Sequence, residues 1–207
     1  MSKRMLVCGV VAASAAGVVG HANAGSIFVE NASFEAITLT DGTFVSTTPD
    51  GWTLIEGKFG TLDPLAISFP SVPDGENTAF SNGGTIAQVL AAVLQANTVY
   101  TLEVEIGNRP ETPFPGFAVQ LWAGDSLLAE DVSSFEPPGQ GFTTSVVTYE
   151  ALSEESMAGQ TLEIRLVSLG VQVNFDDVRL NAVPLPAPGA LALFGLAGLG
   201  CRRRRRR

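Results

Sequence analysis

The sequence predicts an all-β sandwich. Three features of the residues point to it: apolar and polar positions alternate along short runs, Gly, Pro, Asp and Asn cluster between the runs, and no repeat or linker divides Gly25 to Val183. That stretch holds about 159 residues, enough for one domain with a proper core. In chain order the β runs cover residues 26–30, 43–46, 52–56, 65–69, 78–81, 85–90, 99–107, 117–123, 126–131, 142–151, 161–168 and 171–180. Pro49-Asp50-Gly51 introduces the third run and Pro73-Asp74-Gly75 the fifth, while Asn82-Gly83-Gly84 separates the fifth from the sixth. In the seventh, Tyr100, Leu102, Val104 and Ile106 share one face; in the eleventh, Leu162, Ile164 and Leu166 alternate with Glu163 and Arg165. Only residues 87–96 could hold a helical turn.

The chain ends carry address signals. Lys3 and Arg4 precede an apolar run from Met5 to Gly20, and Ala22-Asn23-Ala24 is an A-x-A site, so residues 1–24 read as a secretory signal peptide cut between Ala24 and Gly25. At the other end Val183-Pro184-Leu185-Pro186 leads through Ala187-Pro188 to thirteen apolar or small residues, 189–201, and then to Arg202 through Arg207. As a helix that run would span roughly 20 Å, short of the ~30 Å hydrocarbon core of a bilayer. Arginine stems snorkel and the six charges resist translocation, so a transient transmembrane span with the arginines in the cytoplasm is expected. This order resembles the PEP-CTERM sorting tail of exopolysaccharide-producing Gram-negative bacteria, in a variant reading Val-Pro-Leu-Pro-Ala; the usual motif has Glu where this chain has Leu185. The resemblance implies that residues 183–207 are a sorting signal, that an exosortase-type enzyme processes it, and that the protein goes to the cell surface or extracellular matrix.

Without those ends the composition changes sharply. Lys58, Arg109, Arg165 and Arg179 are the four basic residues left against all 21 acids, a formal charge of −17. Such a field disfavours nucleic acid and favours cations and solubility. Cys8 and His21 lie in the signal and Cys201 in the tail, so residues 25–182 have no disulfide, no thiol nucleophile and no histidine for a Ser-His-Asp arrangement or a His-ligated metal. Carboxylate chemistry or a Ser-Lys pair on Lys58 remains for an enzyme. The paired acids Glu103 and Glu105, or Glu154 and Glu155, read more simply as exposed strand and turn positions.

The domain at residues 25–182 has a family likeness of its own. Asn31-Ala32-Ser33-Phe34-Glu35, Trp52, Gly75, Ala79, Asn82-Gly83-Gly84 with Gln88, Tyr100-Thr101-Leu102 and Val173-Asn174-Phe175-Asp176-Asp177-Val178-Arg179-Leu180 resemble the galactose-binding-like jelly rolls, above all the carbohydrate-binding modules of xylanases and cellulases. The resemblance implies a jelly-roll β-sandwich and a structural calcium held by Glu35 and Asp176, with Asp177 as the alternative ligand. The residues themselves leave two readings. The parity change between Val173/Phe175 and Val178/Leu180 places an irregularity at Asp176-Asp177, where adjacent acids repel unless a cation sits there. Alternatively Asp177 faces solvent while Asp176 caps a turn or pairs with Arg179.

A sugar site would need an aromatic ring to stack on a pyranose face and polar groups beside it. Trp122 and Arg109, with Asn108, form the candidate ligand site; Trp52 and Tyr100 read as core, and Phe114 and Phe117 as cover for an edge. The expected function is therefore a secreted, non-catalytic surface protein that binds extracellular polysaccharide in a biofilm. An adhesive protein with a protein partner is the second expectation, and a carboxylate-based glycosidase or lyase the third.

Overall fold

The computed structural model describes residues 25–186; the predicted signal peptide and the apolar and arginine segments of the predicted tail lie outside the described residues. The described residues form nine strands: β1 Gly25–Ile27, β2 Phe44–Val45, β3 Thr53–Leu62, β4 Thr78–Val93, β5 Thr98–Asn108, β6 Phe117–Ala123, β7 Ser126–Val132, β8 Gly141–Ala151 and β9 Thr161–Pro184. Their pairings are antiparallel throughout. Among these residues no helix is long and apolar enough to cross a membrane.

Two long strands turn one hydrogen-bonded network into two layers. Residues 79–81 of β4 pair with 173–175 of β9 in a front layer completed by β2, the end of β3, β5 and β8. After register slips around Asn82, residues 84–89 of β4 pair with 163–168 of β9 in a back layer with the start of β3, β6 and β7. Gly83 and Gly84 take φ of 90° and 145°, and a Cβ on Gly84 would strike the backbone of Glu56 and Gly57. Both layers bury their inner faces in one core, where Tyr100, Leu102, Val104 and Ile106 meet Val119, Leu121, Leu162, Ile164 and Leu166. Phe59 stacks on Phe175 with ring centroids 5.9 Å apart. Each such side chain contributes about 1.5–3 kcal/mol on burial. The jelly-roll sandwich is thus the fold.

Several predicted boundaries shift. Residues 78–81 and 85–90 are one strand, as are 161–168 and 171–180, because the Gly-rich and Gly170 segments bend strands rather than end them. Residues 87–93 are extended, since β9 offers a partner that a short helical turn cannot match. Residues 65–69 are a turn in which Ser68 and Phe69 both donate to the Leu65 carbonyl, at 2.8 and 3.1 Å; flanking Pro64 and Pro70 lack the donors a strand needs. Val183 and Pro184 belong to β9, opposite Val99 and Thr98, and the Leu185 N–H donates to Asn97 O at 2.6 Å. Of the predicted sorting motif, only Leu185 and Pro186 lie beyond the strand.

Candidate active-site cleft

The outward face of the front layer carries a transverse row of residues from five strands: Gly60, Phe80, Asn174, Gly107 and Phe142 are consecutive partners in β3, β4, β9, β5 and β8. Their neighbours Ala79, Ile106, Val173 and Phe175 point into the core, so strand alternation fixes the row outward. Two glycines make room for two phenylalanines. A Cβ on Gly60 would meet the Phe80 ring, and one on Gly107 would meet the Phe142 ring and the Asn174 Cβ.

At one end the row is covered. Phe69 lies on Phe142 with centroids 4.7 Å apart, and its turn is pinned by Ser68 Oγ donating to Glu111 Oε1 at 2.8 Å and Gln140 Nε2 donating to Ile67 O at 2.5 Å. At the other end it is open. A cleft of about 240 Å³ is lined by Phe44, Ser46, Leu62, Phe80, Asn82, Arg109 and Gln172. It adjoins a second hollow of about 280 Å³ that shares Ser46, Phe80 and Asn82 and adds Lys58. Phe44 and Phe80 meet edge to face at 5.7 Å.

A chain of hydrogen bonds stiffens the cleft floor. Arg109 Nη1 donates to Gln172 Oε1 at 2.6 Å, Gln172 Nε2 to Asn174 Oδ1 at 3.4 Å, and Asn174 Nδ2 to Thr78 Oγ1 at 2.8 Å. Arg109 Nε also donates to Glu111 Oε2 at 2.8 Å, which holds the Glu111 carboxyl below the usual carboxylate range. Gln172 and Asn174 are buried, so each bond acts in a weak-screening environment. Ring faces, amide groups and cations line the two hollows, and no carboxylate does. Such a surface can stack a planar aromatic molecule and hold its polar substituents in a fixed pose.

Residues 25–181, nearly all of the described chain, match the model of the HpiC1-like family, described as HpiC1 cyclase. The chain belongs to the HpiC1-like cyclase family. The chain is 33% identical to the Stig cyclase Fisc from Fischerella sp. TAU, solved with (3Z)-3-(1-methyl-2-pyrrolidinylidene)-3H-indole; the match covers 79% of this chain and 100% of that one, with a TM-score of 0.72. A cyclase from Fischerella sp. TAU in complex with 4-(1H-indol-3-yl)butan-2-one matches over the same shares, at 33% identity and a TM-score of 0.71. The CBM22-1 xylan-binding domain of Xyn10C from Paenibacillus barcinonensis is 15% identical, with 81% of this chain and 98% of that one covered and a TM-score of 0.50. That likeness shows the fold alone. No curated protein matches.

Family membership corrects the functional expectations drawn from the sequence. The cyclase replaces the PEP-CTERM surface protein and the carbohydrate-binding module as the family. An enzyme replaces the non-catalytic biofilm protein, and small-molecule ligands replace the exosortase-type enzyme and the polysaccharide as partners of the kind its relatives show.

The predicted ligand residues do not converge. Trp122 lies on the outer face of the back layer, where the Arg165 guanidinium sits 3.9 Å above its ring and its Nε1 donates to Gln120 Oε1 at 3.0 Å. Arg109 lines the cleft on the opposite layer. Asn108 is buried and its Nδ2 donates to Pro137 O at 2.8 Å, a contact that fixes the loop before β8. The two layers face away from each other, which is why a pair chosen by residue type alone falls apart.

The predicted metal ligands have clear roles in the fold. Glu35 Oε1 accepts from the N–H groups of Glu76 and Asn77 at 2.8 and 2.6 Å, and Oε2 from Asn77 Nδ2 at 3.0 Å. Asp176 accepts from Asp74 N at 3.1 Å and Asp177 N at 2.7 Å, so both acids grip the turn at residues 74–77. Asp177 has φ of 45° at a register slip in β9 and pairs with Arg179 at 3.4 Å. Burial, reinforced by Asp177 and Asp74, pushes the fully buried Asp176 carboxyl up to about 8. Nearby Asp63 is raised by burial and then by Asp41, Glu76 and Glu35. Among the described residues no group of three or more His, Cys, Asp or Glu side chains is arranged to hold a metal ion.

Proposed function

We propose that the protein is a cyclase that folds an indole-bearing small molecule into a ring-closing pose against the front-layer cleft. The observation that carries this is the coincidence of family and site: cyclases 33% identical over their full length hold indole ligands, and this chain has an aromatic cleft. The rings of Phe44 and Phe80 would stack the indole and stabilise positive charge that develops on it during closure. Asn82 and Gln172 would orient the side chain, and the Arg109–Gln172–Asn174–Thr78 chain would keep the floor rigid. Closing a ring within one molecule changes no mass. The test is incubation with 3-substituted indoles bearing an unsaturated side chain: a product of equal mass and new retention time supports the proposal, and unchanged substrate across the series, with no binding of 4-(1H-indol-3-yl)butan-2-one, rejects it.

We also propose a structural calcium at Asp176. A buried carboxylate whose near neighbours Asp74 and Asp177 repel it is the chemistry that a hard cation relieves. Asp176 would hold the ion with Asp74 and backbone carbonyls, and the ion would supply only charge compensation between the 74–77 turn and β9. Export through residues 1–24 is proposed as well. The basic start, apolar run and Ala22-Asn23-Ala24 site support it, and a mature N-terminus other than Gly25 would count against it. The C-terminal apolar run is proposed to keep the exported protein at the membrane, which fractionation with and without residues 187–207 tests.

A further inference from the structure

Cations are scarce in this protein and half of them stand at one cleft. Of Lys58, Arg109, Arg165 and Arg179, the four basic residues among residues 25–182, three are ion-paired: Arg165 with Glu163 beneath Trp122, Arg179 with Asp177 and Glu103, and Arg109 with Glu111. Arg109 and Lys58 line the two adjoining hollows that share Ser46, Phe80 and Asn82. Lys58 is exposed and forms no salt bridge among the described residues. A guanidinium has five N–H donors. Arg109 uses Nε on Glu111 and Nη1 on Gln172, and its Nη2 group donates to no acceptor among the described residues. No carboxylate lines either hollow, and with Glu111 pairing Arg109 from beside the cleft the unbalanced charge there is that of Lys58, on a body of formal charge −17.

Glu111 and Gln172 engage only Nε and Nη1 of Arg109, and Lys58 stands in solvent with no ion pair among the described residues, so the hollows keep N–H donors that an anionic group would engage and a neutral one would leave unpaired. Taking the cleft to be the substrate site as above, we infer that its substrate is an aromatic molecule carrying an anionic group, of the carboxylate type, which Arg109 binds through Nη2 while Phe44 and Phe80 stack the ring. Lys58 adds long-range attraction from the adjoining hollow. The surrounding negative surface rejects anions elsewhere, so the two cations also confine the ligand to this place.

A matched pair of probes separates the two ideas. 3-(1H-Indol-3-yl)propanoate differs from 4-(1H-indol-3-yl)butan-2-one only in having a carboxylate oxygen in place of the methyl group. Titration calorimetry of the full chain at low salt should show the propanoate binding about tenfold more tightly, a preference that shrinks as salt rises. Arg109→Gln should abolish the preference, Arg109→Lys should keep part of it, and Lys58→Gln, at an exposed position, should reduce it without altering the melting temperature. Equal or tighter binding of the ketone overturns the anionic substrate and leaves the indole cleft standing. Binding of neither compound overturns both.

Discussion

Phe142 lies across Gly107, its partner in the register of β5 and β8. The ring is covered on one side by Phe69 at 4.7 Å, which limits the directions in which it can retreat. A Cβ at residue 107 would come 2.6 Å from Phe142 Cε1 and 3.0 Å from the Asn174 Cβ. Gly107→Ala should therefore cost about 1–3 kcal/mol, the usual penalty of overpacking. It should also disturb Asn174 and hence the hydrogen-bond chain to Arg109. Urea denaturation measures the first effect and ligand titration the second; an alanine variant as stable as the parent would show that the row is loosely packed.

Phe44 offers a cleaner probe of the cleft, because its side chain is 61% exposed and contributes little to the core. Phe44→Ala removes the edge-to-face partner of Phe80 and one wall of the cleft. An aromatic contact is worth about 0.5–1.5 kcal/mol beyond its area, which amounts to as much as roughly tenfold in affinity. The variant should bind 4-(1H-indol-3-yl)butan-2-one up to about tenfold more weakly, with its melting temperature nearly unchanged. Unaltered affinity would move the ligand away from this end of the row.

The local half of this architecture is legible in the sequence and the distant half is not. Tyr100, Leu102, Val104 and Ile106 declare their buried face by alternation, and all four are buried. The irregularity expected at Asp176-Asp177 is present as a register slip with Asp177 at φ 45°. The cleft is different in kind. Each of its five strands contributes one residue to the row, and nothing near Phe80 in the chain says that Gly60 and Asn174 will flank it. One signal was available: Gly60 and Gly107 are glycines inside strands, which mark a close approach by another group. Arg109 and Trp122 are expected together because aromatic and cation are types that suit each other, yet they lie on different layers, and sequence holds no record of which layer each occupies.

Asp176 ties stability to pH. Its folded carboxyl titrates at about 8, above the ordinary value of 3.8, so between those limits the folded state binds more protons than the unfolded state. The stabilisation is therefore complete below the unfolded value and is lost as pH rises through about 8. In chelator, the parent should lose stability from pH 5 to pH 8.5 relative to Asp176→Asn, which keeps the shape without the charge. Calcium favours the ionised form and should restore the parent at pH 8.5 while leaving the Asn variant unmoved. Identical melting curves of the parent with calcium and with chelator at that pH would remove the calcium proposal and leave the titration.

The two layers should act independently in ligand binding. Trp122 sits under Arg165 on the back layer, while the cleft opens on the front, with the whole core between them. Trp122→Ala deletes a partly buried ring and a cation–π contact worth about 0.5–1 kcal/mol, so a modest fall in stability is expected. Affinity for indole ligands should stay within twofold of the parent, about 0.4 kcal/mol, since substitutions without shared partners rarely couple by more. Loss of binding in a variant that remains folded would place a ligand on the back layer, beside Gln120, Trp122 and Arg165. Retained binding, together with loss in Phe44→Ala, assigns the chemistry to the front layer, where the glycine-backed aromatic row and Arg109 stand.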